Sequence, residues 1–244
     1  MSAILIVDSV TKSFDGTPAL EGASLRAVPG ELRALIGVNG SGKSTLLEIG
    51  AGLIAPDSGS VYFTGQTYQN MLPGHIANLG LFYIPDHNLL SNAWSVRRQL
   101  EMIRDQFHGR NSGEALELTG IAHLADRSPE RLSPSDRRRA ELAAAFVRRP
   151  RCVLVDDPYR GITSTDAADL TRLFRELAAS GVAVIVSGFE VPELFAAADR
   201  VTWCTGRRTQ EMGPPRSAAR SPQFRKECLG YHSEQHEMTA GSAS

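Results

Sequence analysis

The sequence contains no run of eighteen apolar residues, about the shortest stretch that crosses a bilayer as a helix. Cysteine is scarce. Cys152, Cys204 and Cys228 lie far apart without CxxC spacing, which argues against a disulfide framework or a zinc ribbon. Cys152 beside an apolar run and Cys204 after Val201-Thr202-Trp203 read as small buried hydrophobes, and a reducing cytoplasm fits. Excess charge is missing too, with 26 basic against 27 acidic residues and a formal net charge of −1. That removes any global electrostatic case for nucleic acid or an anionic membrane, and no nucleic-acid partner is expected. Met1-Ser2-Ala3-Ile4 runs into an apolar segment with neither basic flank nor cleavage site, so no signal peptide is expected. No internal repeat is found. A chain of 244 residues has room for one large α/β domain, or a core with a smaller lobe.

What is present begins with strand patterns. Ile4-Leu5-Ile6-Val7 and Val10 to Phe14 precede the turn Asp15-Gly16, and a second strand pattern centres on Ser24 to Val28. After Pro29-Gly30 comes the apolar strand Glu31 to Ile36, then a helical pattern from Ser44 with Leu46, Leu47 and Ile49 on one face. Residues 87–149 show helical periods at 96–107, 113–119 and 134–147 and little strand signal, which predicts a helical lobe inserted in an α/β core. The core resumes with the apolar runs Cys152 to Val155 and Val182 to Val186 around a helix at 165–179. That strand–helix–strand unit requires a parallel crossover. One domain is expected over 1–231, and the small polar residues 232–244 are expected to be disordered.

The strongest chemical signal is Gly37-Val38-Asn39-Gly40-Ser41-Gly42-Lys43-Ser44-Thr45, a full GxxxxGK[ST] match between a strand and a helix. Glycines let backbone N–H groups converge on phosphate oxygens, and a helix N-terminus adds a favourable dipole. Lys43 would reach the β- and γ-phosphates of ATP, and the Ser44 hydroxyl would be a Mg²⁺ ligand. The second signal is Val153-Leu154-Val155-Asp156-Asp157, a buried strand ending in two carboxylates. Asp156 would lie beside the P-loop, at the edge where open α/β sheets bind ligands, and hold the Mg²⁺ shell.

Taken with Phe14, the helical insertion and Leu132-Ser133 before an Arg-rich helix, these motifs stand in the order of ABC transporter ATP-binding subunits, which the chain resembles over roughly residues 4–215. The resemblance implies a RecA-like P-loop core with an N-terminal antiparallel β-element and an inserted helical lobe. It also implies head-to-tail pairing with a second ATP-binding subunit, each P-loop facing the other's signature. Closure of that pair would drive integral membrane subunits from a cytoplasmic position on the inner face of the membrane. By position, Phe14 matches the aromatic that stacks on adenine, with a core strand residue as the plainer reading. Asn39, Gly40, Ser41, Gly42, Lys43, Ser44 and Thr45 hold the nucleotide, and Ser133 serves the opposing one. Ser44, Asp156 and Asp86, at the Q-loop glutamine position, face the metal, while Lys43 and Asp157 carry catalysis.

The chain departs from the family pattern at linked positions. Asp157 replaces a glutamate and is one methylene shorter, and a misplacement of about 1 Å can cost roughly a hundredfold in rate. Phe189, at the switch-histidine position, has no donor or acceptor, and neither Gly188 nor Glu190 supplies an imidazole. Thr163 stands for the D-loop aspartate. Pro134-Ser135-Asp136 replaces Gly-Gly-Gln in the signature, and proline has no N–H to give, although it suits a first helical position. Slow hydrolysis is expected. The rival readings are a nucleotide-gated, hydrolysis-deficient binding module or the degenerate half of a heterodimer; a small-molecule kinase would leave Leu132-Ser133 without a role. The Arg137-Arg138-Arg139 and Arg148-Arg149-Arg151 stretches are read as a solvated helix face with pairs such as Arg137 to Glu141. His75, His87, His108 and His123, with His232 and His236 in the tail, are read as surface residues.

Overall fold

The computed structural model describes residues 2–68, 72–189 and 191–229; Glu190 and the tail at 232–244, with His232 and His236, lie outside the described residues. In chain order the strands are β1 (Leu5–Phe14), β2 (Thr17–Ala27), β3 (Leu32–Ile36), β4 (Ser58–Phe63), β5 (Gln66–Thr67), β6 (Leu81–Ile84), β7 (Cys152–Val155), β8 (Ala183–Gly188), β9 (Arg200–Thr205) and β10 (Arg208–Gly213). The helices that position the site are α1 (Lys43–Gly50), α2 (Pro73–Asn78), α3 (Val96–Phe107), α4 (Ser112–Leu118), α5 (Pro134–Arg148), α6 (Ser164–Ala179) and α7 (Pro192–Ala197).

Two sheets divide the labour. An antiparallel sheet in the order β2-β1-β4-β5 forms the N-terminal element, its inner face set by alternation at Leu5 and Val7. The register shifts between Val7 and Val10, where Ser9 takes a positive φ of 51°, so Val10 again points inward. The second sheet runs β10-β9-β3-β8-β7-β6; β6, β7, β8, β3 and β9 are parallel and β10 is antiparallel. Strands β3, β7 and β8 are buried along their whole length, as a strand covered on both faces requires.

Helix α1 packs between the sheets, with Leu46, Leu47 and Ile49 against Leu5, Phe63, Leu154 and Ile185. The opposite face of the parallel sheet is covered from α6, where Leu170, Phe174 and Leu177 meet Val153, Val184 and Trp203. The segment between β6 and β7 is helical and builds its own apolar cluster from Val96, Leu100, Leu116, Ile121, Ala140 and Ala144. Its helices α3 and α5 start where a side chain caps them, Ser95 accepting from the Arg98 N–H and Ser133 from that of Asp136. All three cysteines are buried, as expected.

The arginines of α5 depart from the expected solvated face. Glu141 is fully buried and pairs with Arg138 at 2.7 Å, not with Arg137. Both spacings are neighbours on a helix; burial selects Arg138, which lies on the covered side. Arg138 also donates to the backbone carbonyls of Pro85, at 2.9 Å, and Asp86. Arg137 donates to Asn88 Oδ1 at 2.7 Å and the Pro129 carbonyl at 2.9 Å, and Arg139 to Asp169 at 2.8 Å. Arg148 is buried, stacks on Phe82 and Phe107 and donates to the Leu81 and Ala77 carbonyls. These side chains fasten α5 to α2, to β6 and to the loop that follows β6. Strands β6, β9 and β10 carry too little alternation to be read from sequence.

Glu141→Ala leaves Arg138 buried with its carboxylate gone. It is expected to lower unfolding free energy by about 3 kcal/mol, read as a drop in urea midpoint, with Glu141→Gln losing less; unchanged midpoints would contradict this role.

Candidate functional site

The register brings the chemistry to one edge. Ile36 at the end of β3 pairs with Gly188 at the end of β8, and Val155 at the end of β7 pairs with Val186. The loop after β3, the acidic pair after β7 and the end of β8 therefore lie side by side, at the carboxyl ends of adjacent parallel strands.

The loop Gly37 to Gly42 is shaped by crowding. A Cβ on Gly37 would fall 2.2 Å from the Cys204 carbonyl oxygen, and one on Gly42 would meet the Ala19 carbonyl oxygen at 2.8 Å. Gly42 has φ 102°, a conformation that side-chain-bearing residues rarely adopt. Strand β2 thereby abuts the loop through Ala19 and Leu20, and the same hairpin carries Phe14. Phe14 is 45% exposed, with Lys12 Nζ 5.6 Å from its ring centre, which rules out the core-strand reading.

Lys43 is buried and its ammonium donates to the carbonyls of Gly37 at 2.8 Å and Val38 at 3.0 Å. Burial lowers its pKa, against the opposing influence of Cys204, Asp157 and Asp156. The Ser41 hydroxyl is buried without a partner among the described residues. Helix α1 has no side-chain cap, so its first-turn N–H groups are available to a ligand. Asn39, Gly40 and Ser44 are exposed and Thr45 half-buried. A glycine-lined concavity with an orphaned hydroxyl, an ammonium and uncapped N–H groups fits the phosphates of a nucleotide.

Asp156 is buried. Its Oδ1 accepts from Ser187 Oγ at 2.7 Å and its Oδ2 from the Tyr83 hydroxyl at 3.5 Å. The same Ser187 oxygen accepts the backbone N–H of Asp157 at 2.8 Å, holding that residue at φ 41°. The Asp157 carboxylate meets Arg160 Nε at 3.2 Å. Asp86 pairs with His87 and lies 4.0 Å from Arg160 Nη1. Burial, then the charges of Asp156 and Asp86, raises the Glu48 carboxyl above the ordinary glutamate value. This concentration of negative charge beside a serine-bearing helix start suits a hard divalent cation. Among the described residues no three His, Cys, Asp or Glu side chains converge as a metal cage, so phosphate oxygens and water would complete the shell, as Mg²⁺ favours.

Two residues compared with the family pattern, Ser133 of the signature and Thr163 at the D-loop position, act locally as helix caps. Ser133 Oγ donates to Asp136 Oδ2 at 2.7 Å and accepts the Asp136 N–H at 3.1 Å. Thr163 does the same with Asp166 at the start of α6. Asn39, Asp157, Arg160, Thr163 and Phe189 line one cleft of about 470 Å³. Ser187, Arg160 and Glu48 are site residues that sequence reasoning passed over. A lone hydroxyl ending the apolar run Val182 to Val186 was the available signal for Ser187.

A family model described as ABC transporter matches residues 20–160, more than half of the chain. Among curated relatives, ribose import ATP-binding protein RbsA 2 of Rubrobacter xylanophilus is 33% identical over 204 residues, covering 79% of this chain and 39% of that protein. The lipopolysaccharide export system ATP-binding protein LptB of Escherichia coli is 30% identical over 206 residues, covering 81% of this chain and 85% of that protein. The chain thus spans about two fifths of the length of the RbsA relatives. Among solved structures, a nucleotide-free ATP-binding cassette from an ABC transporter superposes with a TM-score of 0.81 at 22% identity, covering 91% of this chain and 97% of that one. The cbiO1 protein of Clostridium perfringens, part of an ABC transporter complex, gives 0.77 at 25% identity, covering 98% and 100%. The antiparallel element, the parallel core with its P-loop and the inserted helices are accounted for together: the chain belongs to the ABC transporter family, as one of its ATP-binding cassettes.

Proposed function

We propose that this cassette binds Mg-ATP, closes on a second cassette when both sites are filled, and passes that closure to membrane subunits, with slow hydrolysis resetting the pair. The observation that carries the reading is the shared edge on which Lys43, the uncapped start of α1 and the Ser187-held Asp156-Asp157 pair meet. The P-loop from Asn39 to Thr45 would take the phosphates, Phe14 the adenine ring, and Ser44 with Asp156 the cation. Mg²⁺ would supply neutralisation of charge between the phosphates. Asp86 would join that shell only by leaving His87 and Arg160. Ser133, exposed at the start of α5, suits contact with the opposing subunit's nucleotide. Relatives named for import and for export share this cassette, as befits a motor whose cargo other subunits select.

Slow turnover follows from the groups around the attacking water. Asp157 supplies the carboxylate that polarises it, on a short side chain, while Phe189 offers nothing polar. A second reading, the weak half of a heterodimer, draws on the same two residues and on Pro134, which cannot present an N–H to the facing phosphate.

Gly42→Ala should weaken ATP binding more than about tenfold, because the new Cβ meets backbone and the residue must hold a positive φ; fluorescent-nucleotide titration measures it. Ser187→Ala should keep ATP affinity within about threefold while lowering single-turnover hydrolysis at least tenfold, as both acidic residues lose their common anchor. The homodimer should turn over at less than about one ATP per second, below the median for enzymes, and Phe189→His should accelerate it. Turnover of several per second with no gain from that substitution would overturn the slow-hydrolysis reading, and measurement with and without the membrane subunits separates motor from gate.

A further inference from the structure

Arg160 is a cation whose ion pairs add little to the stability of the fold. Its side chain is 67% exposed, and exposed ion pairs contribute at most about 1 kcal/mol. Yet it stands between two carboxylates of the site, Nε 3.2 Å from Asp157 Oδ2 and Nη1 4.0 Å from Asp86 Oδ2. It is also the one cation among the described residues lining the cleft shared by Asn39, Asp157, Thr163 and Phe189. Lys43, at the phosphate loop, spends two of its three N–H donors on the carbonyls of Gly37 and Val38. A guanidinium has five N–H donors in a fixed fork, so bracing on Asp157 leaves most of them free. Phosphoryl transfer gains chiefly from cations placed where charge gathers on the terminal phosphate, and an arginine from the same chain can supply one.

We infer that Arg160 is a second catalytic cation of this cassette beside Lys43, braced on Asp157 and offering its remaining N–H groups to the γ-phosphate of ATP, a task that Phe189 cannot perform. The inference rests on the reading of this edge as an ATP site. In the step it serves, the water oxygen bonds to the γ-phosphorus as the bond to the β,γ-bridging oxygen breaks. The bond's electron pair leaves with ADP. One water proton stays on the new phosphate, and the other passes to Asp157 and then to solvent. Arg160 does two things at once: it keeps Asp157 turned to the water and offsets charge on the γ-oxygens.

The test uses the full chain with Mg²⁺ and compares wild type, Arg160→Ala and Arg160→Lys. Affinities for ATP and ADP are read by displacement of a fluorescent nucleotide, and hydrolysis by single turnover. A lost charged contact to the γ-phosphate alone should weaken ATP about tenfold in Arg160→Ala, with ADP within twofold. Single-turnover hydrolysis should fall by at least a further factor of about thirty, and Arg160→Lys should recover part of both. Equal losses for ATP and ADP, or no change in either, would overturn the inference. Faster hydrolysis in Arg160→Ala would also overturn it, showing a brake on Asp157. Wild-type protein that binds neither nucleotide would instead remove the ATP-site reading beneath it.

Discussion

One hydroxyl organises the acidic half of the site. Ser187 gives its proton to Asp156 and takes the N–H of Asp157, so two consecutive residues that leave β7 in different directions are referred to the same atom on β8. The arrangement is possible because β7 and β8 are parallel and in register at Val155 and Val186. It also accounts for the positive φ of Asp157. A non-glycine residue in that region costs of order 1 kcal/mol or more and persists only where surroundings over-determine it; the bond from Ser187 is the constraint that does so.

The phosphate side is organised by exclusion of side chains. Gly37 lies against the Cys204 carbonyl and Gly42 against that of Ala19, so the loop is pressed between β9 and β2 with no room for a Cβ at either point. The antiparallel sheet is thus part of the site, since its β2 strand sets one wall of the phosphate loop. Lys43 completes this half by borrowing two carbonyls of the loop it serves, which holds the ammonium in place at the floor of the concavity.

Much of this was legible in the sequence where a local rule governs. The GxxxxGK[ST] spacing, the apolar strand before Asp156 and Pro134 at the first turn of α5 each express a requirement met by neighbouring residues. Strands β9 and the short β6 were not legible because they are covered by packing beside β3 and β7, and the exposed edge strand β10 was not because few apolar residues mark it. Ser187 meets Asp156 across 31 residues and Arg160 approaches Asp86 from a different loop, and no spacing rule announces such pairs. The arginines of α5 were misjudged for a related reason: helical spacing allows Arg137 and Arg138 alike to meet Glu141, and only burial decides between them.

Arg138 gives the assembly a mechanical property. By holding the carbonyls of Pro85 and Asp86 while paired to buried Glu141, it makes the segment after β6 a rigid extension of α5. Any tilt of the inserted helices must therefore carry Asp86 along, whereas Asp157 stays anchored to the sheet through Ser187. The 4.0 Å approach of Asp86 to Arg160 is thus where a segment tied to the inserted helices meets one tied to the parallel sheet.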